Sequence, residues 1–176
     1  PTFSHAPTLR RAPMPPCAPV RTAHAPLVAR LFHMSHDPAT KFSISLAHFA
    51  SSPYPAAVTR YILAIAVNRA QLAKDVAAEV NRRGVDCVNV DFEPIPLGQK
   101  ANFTNFVRLL RAQLDAIRPG YQLTFDVTGH HESYDVGGAL KPGGADAVYL
   151  MGYHYAGVWS KVAGSASGAL SARTTT

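Results

Sequence analysis

The 176-residue chain is short of several things, and each shortage removes a class of explanation. It has no run of 18 or more apolar residues, so no membrane-spanning helix and no membrane partner are expected. Its N-terminus lacks the apolar stretch of a secretory signal, and it opens on Pro1 rather than an initiator methionine, so a missing true start is expected. No glycine-rich phosphate loop follows any candidate strand, which weighs against a nucleotide-binding α/β fold. The only cysteines are Cys17 and Cys87, which leave open a disulfide between them or, the stronger expectation, a buried free thiol at Cys87.

Acid is missing altogether from residues 1–36, which carry Arg10, Arg11, Arg21 and Arg30. The net charge of +6 is therefore misleading, because the remaining residues account for only +2 of it. A nucleic-acid partner would call for basic residues gathered on one structured face, and none is expected. Residues 1–30 also hold seven of the fourteen prolines, without helical or strand periodicity. Residues 1–36 thus read as a proline- and arginine-rich arm, either disordered or not native to the domain, since GC-rich DNA read out of frame gives such sequence. The domain proper is expected over residues 37–176.

What is present there is periodic. Phe42, Ile44 and Leu46 alternate with Ser43 and Ser45, as in a strand. Leu72, Val76 and Val80 mark a helix that Asn68 would cap and Gly84 would end, with an earlier helical turn at 55–65. A strand is expected over 85–93. Phe103, Phe106, Val107, Leu110, Leu114 and Ile117 form a helical stripe that Pro119 and Gly120 terminate. A strand in "YQLTFDVTG", a short helix or loop in "SYDVGGAL" and a strand in "ADAVYLMGYHY" follow, the last read as buried on both faces. Alternating strands and helices imply an α/β fold with parallel strands, either a doubly wound sheet or a (β/α) barrel.

The chemistry gathers in "VNVDFEPIP", residues 88–96. Asn89, Asp91 and Glu93 share one face of a strand, with Val88, Val90 and Phe92 on the other. Carboxylates two residues apart on a strand have Cβ atoms about 6.5–7 Å apart. In a poorly solvated mouth their charges couple, so one stays protonated more easily, and a protonated Glu93 beside an ionised Asp91 would suit general acid catalysis. The plainer reading of a bare D-x-E, acids ending a strand in solvent, stands beside it.

The wider segment "DCVNVDFE", Asp86 to Glu93, resembles the D-x-x-D-x-D-x-E signature of glycoside hydrolase family 18, the chitinases and endo-β-N-acetylglucosaminidases. "MGYHY", residues 151–155, is similar to the M-x-Y-D segment of that family's sixth barrel strand, and the likeness covers roughly residues 41–168. The resemblance implies a (β/α)8 barrel of the TIM type, with only about strands three to six represented. It implies Glu93 as the acid that protonates the glycosidic oxygen and then activates water. Asp91 would orient the substrate's 2-acetamido group and Tyr153 would contact its oxygen. Asn89, Met151, His154 and Tyr155 would line the sugar site. Trp159 follows the sixth-strand segment and is not the family's last-strand tryptophan; stacking on a sugar at the rim is the role left open to it. Asp86, of opposite parity, would be structural. The acetamido carbonyl itself would attack the anomeric carbon, so configuration is retained and substrates carry N-acetyl groups. No metal or cofactor is implied. Secretion or cell-surface display follows from the resemblance alone.

The sequence departs from that pattern in three places. Asn89 replaces the inner aspartate and cannot share a proton as a carboxylic acid would. His154 stands where M-x-Y-D has its aspartate, with a charge that varies with pH. A full barrel takes roughly 250 residues, more than this chain has. Both ends are expected to be truncated or frame-shifted relative to an intact gene, since "SARTTT" is encodable by DNA whose shifted frame reads Gly-Pro-Asp-Tyr-Asp. A non-catalytic carbohydrate-binding relative and an inactive fragment remain the alternative readings. A metal site at His130 and His131 is disfavoured, because adjacent residues on a strand point apart.

Overall fold

A computed structural model describes residues 40–49, 56–129 and 131–153. The arm at 1–36, His154, Tyr155 and Trp159 lie outside the described residues. Four strands, β1 (Ser43–Phe49), β2 (Cys87–Glu93), β3 (Gln122–Thr128) and β4 (Ala147–Met151), form one sheet in chain order. Every neighbouring pair is parallel. The register aligns Ser45 with Asn89, Asn89 with Thr124, and Thr124 with Ala147.

Between the strands run α1 (Ala56–Ala64), α2 (Ala66–Arg83), α3 (Lys100–Ile117) and the single turn α4 (Val136–Ala139), which a 3-10 turn at His131–Ser133 precedes. Helix α2 buries Ala73, Val76, Ala77 and Val80, a stripe at i, i+3, i+4 and i+7. It ends where expected. Gly84 sits at φ 65°, its N–H bonding to the Asn81 carbonyl while the Val85 N–H reaches Val80, so the left-handed residue satisfies carbonyls the helix leaves open. Its start differs from the sequence reading. Asn68 is inside the helix and the extended Ile65 stands at the N-cap, because α1 runs up to Ala64 and the Ile65 carbonyl already accepts from the Arg69 N–H. The Arg69 guanidinium donates to the Leu63 carbonyl, closing the end of α1.

Both long helices cover the same face of the sheet. Val88, Val90, Phe92, Leu123, Phe125 and Val127 belong to one buried cluster with the α2 stripe and with Phe103, Phe106, Val107, Leu110 and Leu114 of α3. A doubly wound sheet would carry helices on both faces; among the described residues the second face of β2 and β3 carries mostly polar side chains and no helix, as in a barrel wall. Phe92 stacks on Phe106 at 5.8 Å between ring centroids, and Phe103 meets Phe92, Phe125 and Tyr134 at 6.2, 5.7 and 5.7 Å. Ile117 leaves the stripe: it is 41% exposed in the last turn of α3, one turn beyond Leu114.

At the N-terminal end of the strands, buried Asp86 accepts a hydrogen bond from the Phe42 N–H at 3.2 Å, tying β1 to β2. Arg111 of α3 is buried and donates to the Tyr121 carbonyl at 2.8 Å and to Asp146 at 3.3 Å, whose Oδ2 also accepts from the Leu123 N–H at 2.8 Å. Together these bonds fix where β3 and β4 begin. Cys87 is buried, and its thiol donates to Gln122 on β3.

One burial expectation fails. Tyr149 and Leu150, on opposite faces of β4, are 60% and 66% exposed. The strand pairs only with β3, and among the described residues nothing covers its far side. No described helix is long and apolar enough to cross a membrane.

Candidate active site

Strand β2 is built by its alternation. Val88, Val90 and Phe92 are buried beneath the helices, while Asn89, Asp91 and Glu93 are half-buried on the opposite face. That places Asp91 and Glu93 at the C-terminal end of the strand, the end at which parallel α/β barrels carry their chemistry. Glu93 is followed by a cis peptide bond to Pro94, and buried Ile95 and Pro96 carry the chain back towards α3.

Strand β3 supplies the rest of the wall. Thr124 donates to Asn89 Oδ1 at 2.7 Å, and Asn89 Nδ2 donates to Asp126 Oδ2 at 2.7 Å. Both ends of the Asn89 amide thus bond to β3. Asp91 is placed differently. Its Oδ1 is shielded from solvent and has no hydrogen-bond partner among the described residues. Burial pushes the Asp91 carboxyl above the usual aspartate range, and the negative charges of Asp126 and then Glu93 push it the same way. The sequence reading placed a proton on Glu93 beside an ionised Asp91; in the structure the proton affinity of Asp91 itself is raised, first by its burial in the wall.

Tyr134 closes the site from beneath. Its ring is buried edge-on to Phe103, and its hydroxyl donates to the Phe92 carbonyl at 2.8 Å, between the two acids in sequence. Burial, then the fields of Glu93 and Asp91, drive its pKa far up, so it remains a neutral donor.

Of the residues singled out from sequence, Asn89, Asp91 and Glu93 are brought together on β2. Met151 is half-buried at the end of β4, aligned with Thr128 of β3, and so stands two strands away on the same wall. Tyr153 follows β4 and is 48% exposed. Among the described residues no group of three histidine, cysteine, aspartate or glutamate side chains could hold a metal ion.

Three residues of the site escaped the sequence reading. Thr124 and Asp126 were legible in principle, since Gln122, Thr124, Asp126 and Thr128 alternate with Leu123, Phe125 and Val127 just as β2 alternates. Tyr134 carried no such signal, because it lies between the 3-10 turn and α4, where no period applies.

A parallel sheet, helices on one face and carboxylates gathered at the carboxyl ends of the strands define part of a (β/α) barrel of the kind that carries enzymes. The profile of glycosyl hydrolases family 18 matches residues 28–174, and the chain belongs to that family. Among solved structures it is similar to a putative sporulation-specific glycosylase, ydhD, from Bacillus subtilis, at 23% identity and a TM-score of 0.59 over 72% of this chain and 44% of that one. It is also similar to a mutant chitinase of the family from Cycas revoluta in complex with (GlcNAc)4, at 24% identity and a TM-score of 0.65 over 79% of this chain and 43% of the other. Catalytic domain 2 of the Group II chitinase from Ostrinia furnacalis matches at 20% identity and a TM-score of 0.59, over 74% of this chain and 35% of that one. The chain therefore spans less than half the length of these structures and represents part of the barrel. No curated protein matches it.

Proposed function

We propose that this chain carries the acid–base strand of a retaining glycosidase acting on N-acetylglucosamine-containing glycans of the chitin type. The observation that carries the reading is the end of β2: Glu93 on the polar wall, one side-chain step beyond an Asp91 that resists ionisation. In this reading Glu93 protonates the glycosidic oxygen and later takes a proton from the incoming water. Asp91, holding its proton, donates to the substrate's acetamido group and orients the carbonyl for attack on the anomeric carbon. The acetamido oxygen supplies the nucleophile, so the site needs no second carboxylate in that role. Tyr153 contacts the acetamido oxygen, while Asn89, Met151, His154, Tyr155 and Trp159 contribute to the sugar site. Export to the cell surface or medium accompanies the reading.

The similar structures from Cycas revoluta and Ostrinia furnacalis are chitinases, the former solved with a chitooligosaccharide, which supports a ligand of that chemistry. The test is hydrolysis of a chitooligosaccharide reporter by this chain beside Glu93→Gln. A loss of about 10²–10⁴-fold is expected, the usual contribution of a positioned acid. Equal rates for the two proteins would refute the reading for this chain. Retained glycan binding without turnover would instead indicate a carbohydrate-binding relative.

A further inference from the structure

We propose that Asp126, on β3, is the positioning carboxylate for Asp91, the two sharing one proton across the gap between the strands. The proposal rests on the glycosidase reading and adds a residue to it from outside the β2 motif.

Three observations converge. First, Asn89 is an amide and cannot share a proton; moreover, its amide bonds Asp126 and Thr124 on β3, and no hydrogen bond joins it to the partnerless Asp91 Oδ1 among the described residues. Second, Val90 and Phe125 are the last aligned pair of β2 and β3, so Asp91 and Asp126 follow them one step further along adjacent strands. Adjacent strands lie about 4.8 Å apart, within reach of a carboxyl–carboxylate contact directly or through one water. Third, Asp91 Oδ1 is buried with no partner among the described residues. An ionised Asp91 would leave that oxygen without a donor, whereas a protonated Asp91 needs only an acceptor. The Asn89 N–H fixes Asp126 Oδ2 as an acceptor, which leaves the pair's proton to its other oxygens. The pair then carries one proton and one negative charge, and the proton passes between the two side chains with no other reactant consumed.

The titratable groups around Asp91 are few. Asp126 faces it from β3, Glu93 from its own strand, and Tyr134 from the segment after β3, all three raising its proton affinity or feeling its charge. β1 presents Ala47 at the matching register, and β4 presents Tyr149 opposite Asp126.

The experiment is a ¹³C-carboxyl NMR titration of the full chain. In the unsubstituted protein, the Asp91 and Asp126 resonances are expected to show two steps with common midpoints, as coupled sites do. Independent single-step curves would overturn the proposal without any variant. Asp126→Asn keeps an acceptor for Asn89 and should lower the Asp91 midpoint by about one pH unit. The swap Asn89→Asp with Asp126→Asn returns a carboxylate to Asp91's side and should raise it again. An unmoved midpoint in Asp126→Asn, or no return in the swap, refutes the sharing. Where the chain turns over the reporter in a Glu93-dependent way, Asp126→Asn should lower kcat about tenfold or more with KM within about twofold, and the swap should recover kcat. A chain without turnover would sink the glycosidase reading, while the titration would still decide the pair.

Discussion

The two faces of the sheet are made by the same strands and differ in almost everything else. On the helix side, Val88, Val90, Leu123 and Phe125 are wholly buried among the aromatic rings of α3. On the other side stand Thr124, Asn89 and Asp126, joined by two 2.7 Å hydrogen bonds, and Asp91, one of whose carboxyl oxygens has no partner among the described residues. Apolar burial is non-directional, so the first face gains stability from volume and fit. Polar groups out of water gain little beyond satisfaction, so the second face contributes mainly position and charge. The period of two lets one strand hold fold and chemistry apart, and substitutions on each face should therefore have different consequences.

The sharpest contrast is expected from Phe103→Ala. Phe103 is 1% exposed and touches three other rings. Its removal should cost about 3–5 kcal/mol in urea unfolding, a large share of a small domain's stability. Glu93→Gln, on the other face, should stay within about 0.5 kcal/mol of the unsubstituted chain in the same measurement. Similar costs for the two would break the separation of the faces.

Tyr134→Phe probes the place where the faces meet. The ring packs on the helix side, but the hydroxyl supports the Phe92 carbonyl at the end of β2. The phenylalanine keeps the packing and removes one buried donor, so a cost of about 1 kcal/mol is expected by urea unfolding. A cost near that of Phe103→Ala would mean that the strand end depends on the hydroxyl for more than one bond.

The helix side was the legible one. Its period survives in sequence because burial selects residue type: the stripe from Phe103 to Leu114 and the Gly84 stop are where the pattern placed them. The pattern failed where a neighbour decides the outcome. Asn68 has the chemistry of a cap, yet α1 continues almost into α2 and makes the cap unnecessary. Leu150 has the character of a core residue, yet β4 is covered by nothing described on its outer side. On the polar side, Asn89, Asp91 and Glu93 were visible because one strand carries them. Asp126 was not connected to them, because strand order is not written in local sequence. The assignment of a raised proton affinity to Asp91 needs its burial first and then Asp126 beside it, and neither is written in the strand's own sequence.

The smallest expected effect tests that assignment through stability alone. The folded state raises the affinity of Asp91 for a proton, chiefly by burial. An acid with a raised folded pKa binds protons more readily when folded than when unfolded, so it destabilises the fold at pH values above that pKa. The penalty is present at pH 7 and fades as pH falls through the raised Asp91 value towards the ordinary carboxylate range, where both states are protonated. Asp91→Asn removes the charge while keeping the shape. It should therefore stabilise the chain by under about 1 kcal/mol at pH 7. The gain should shrink towards zero near pH 4, as read from thermal unfolding at the two pH values. A gain unchanged by acid would assign the effect to packing, and the polar wall would then resemble the helix side more than its hydrogen bonds suggest.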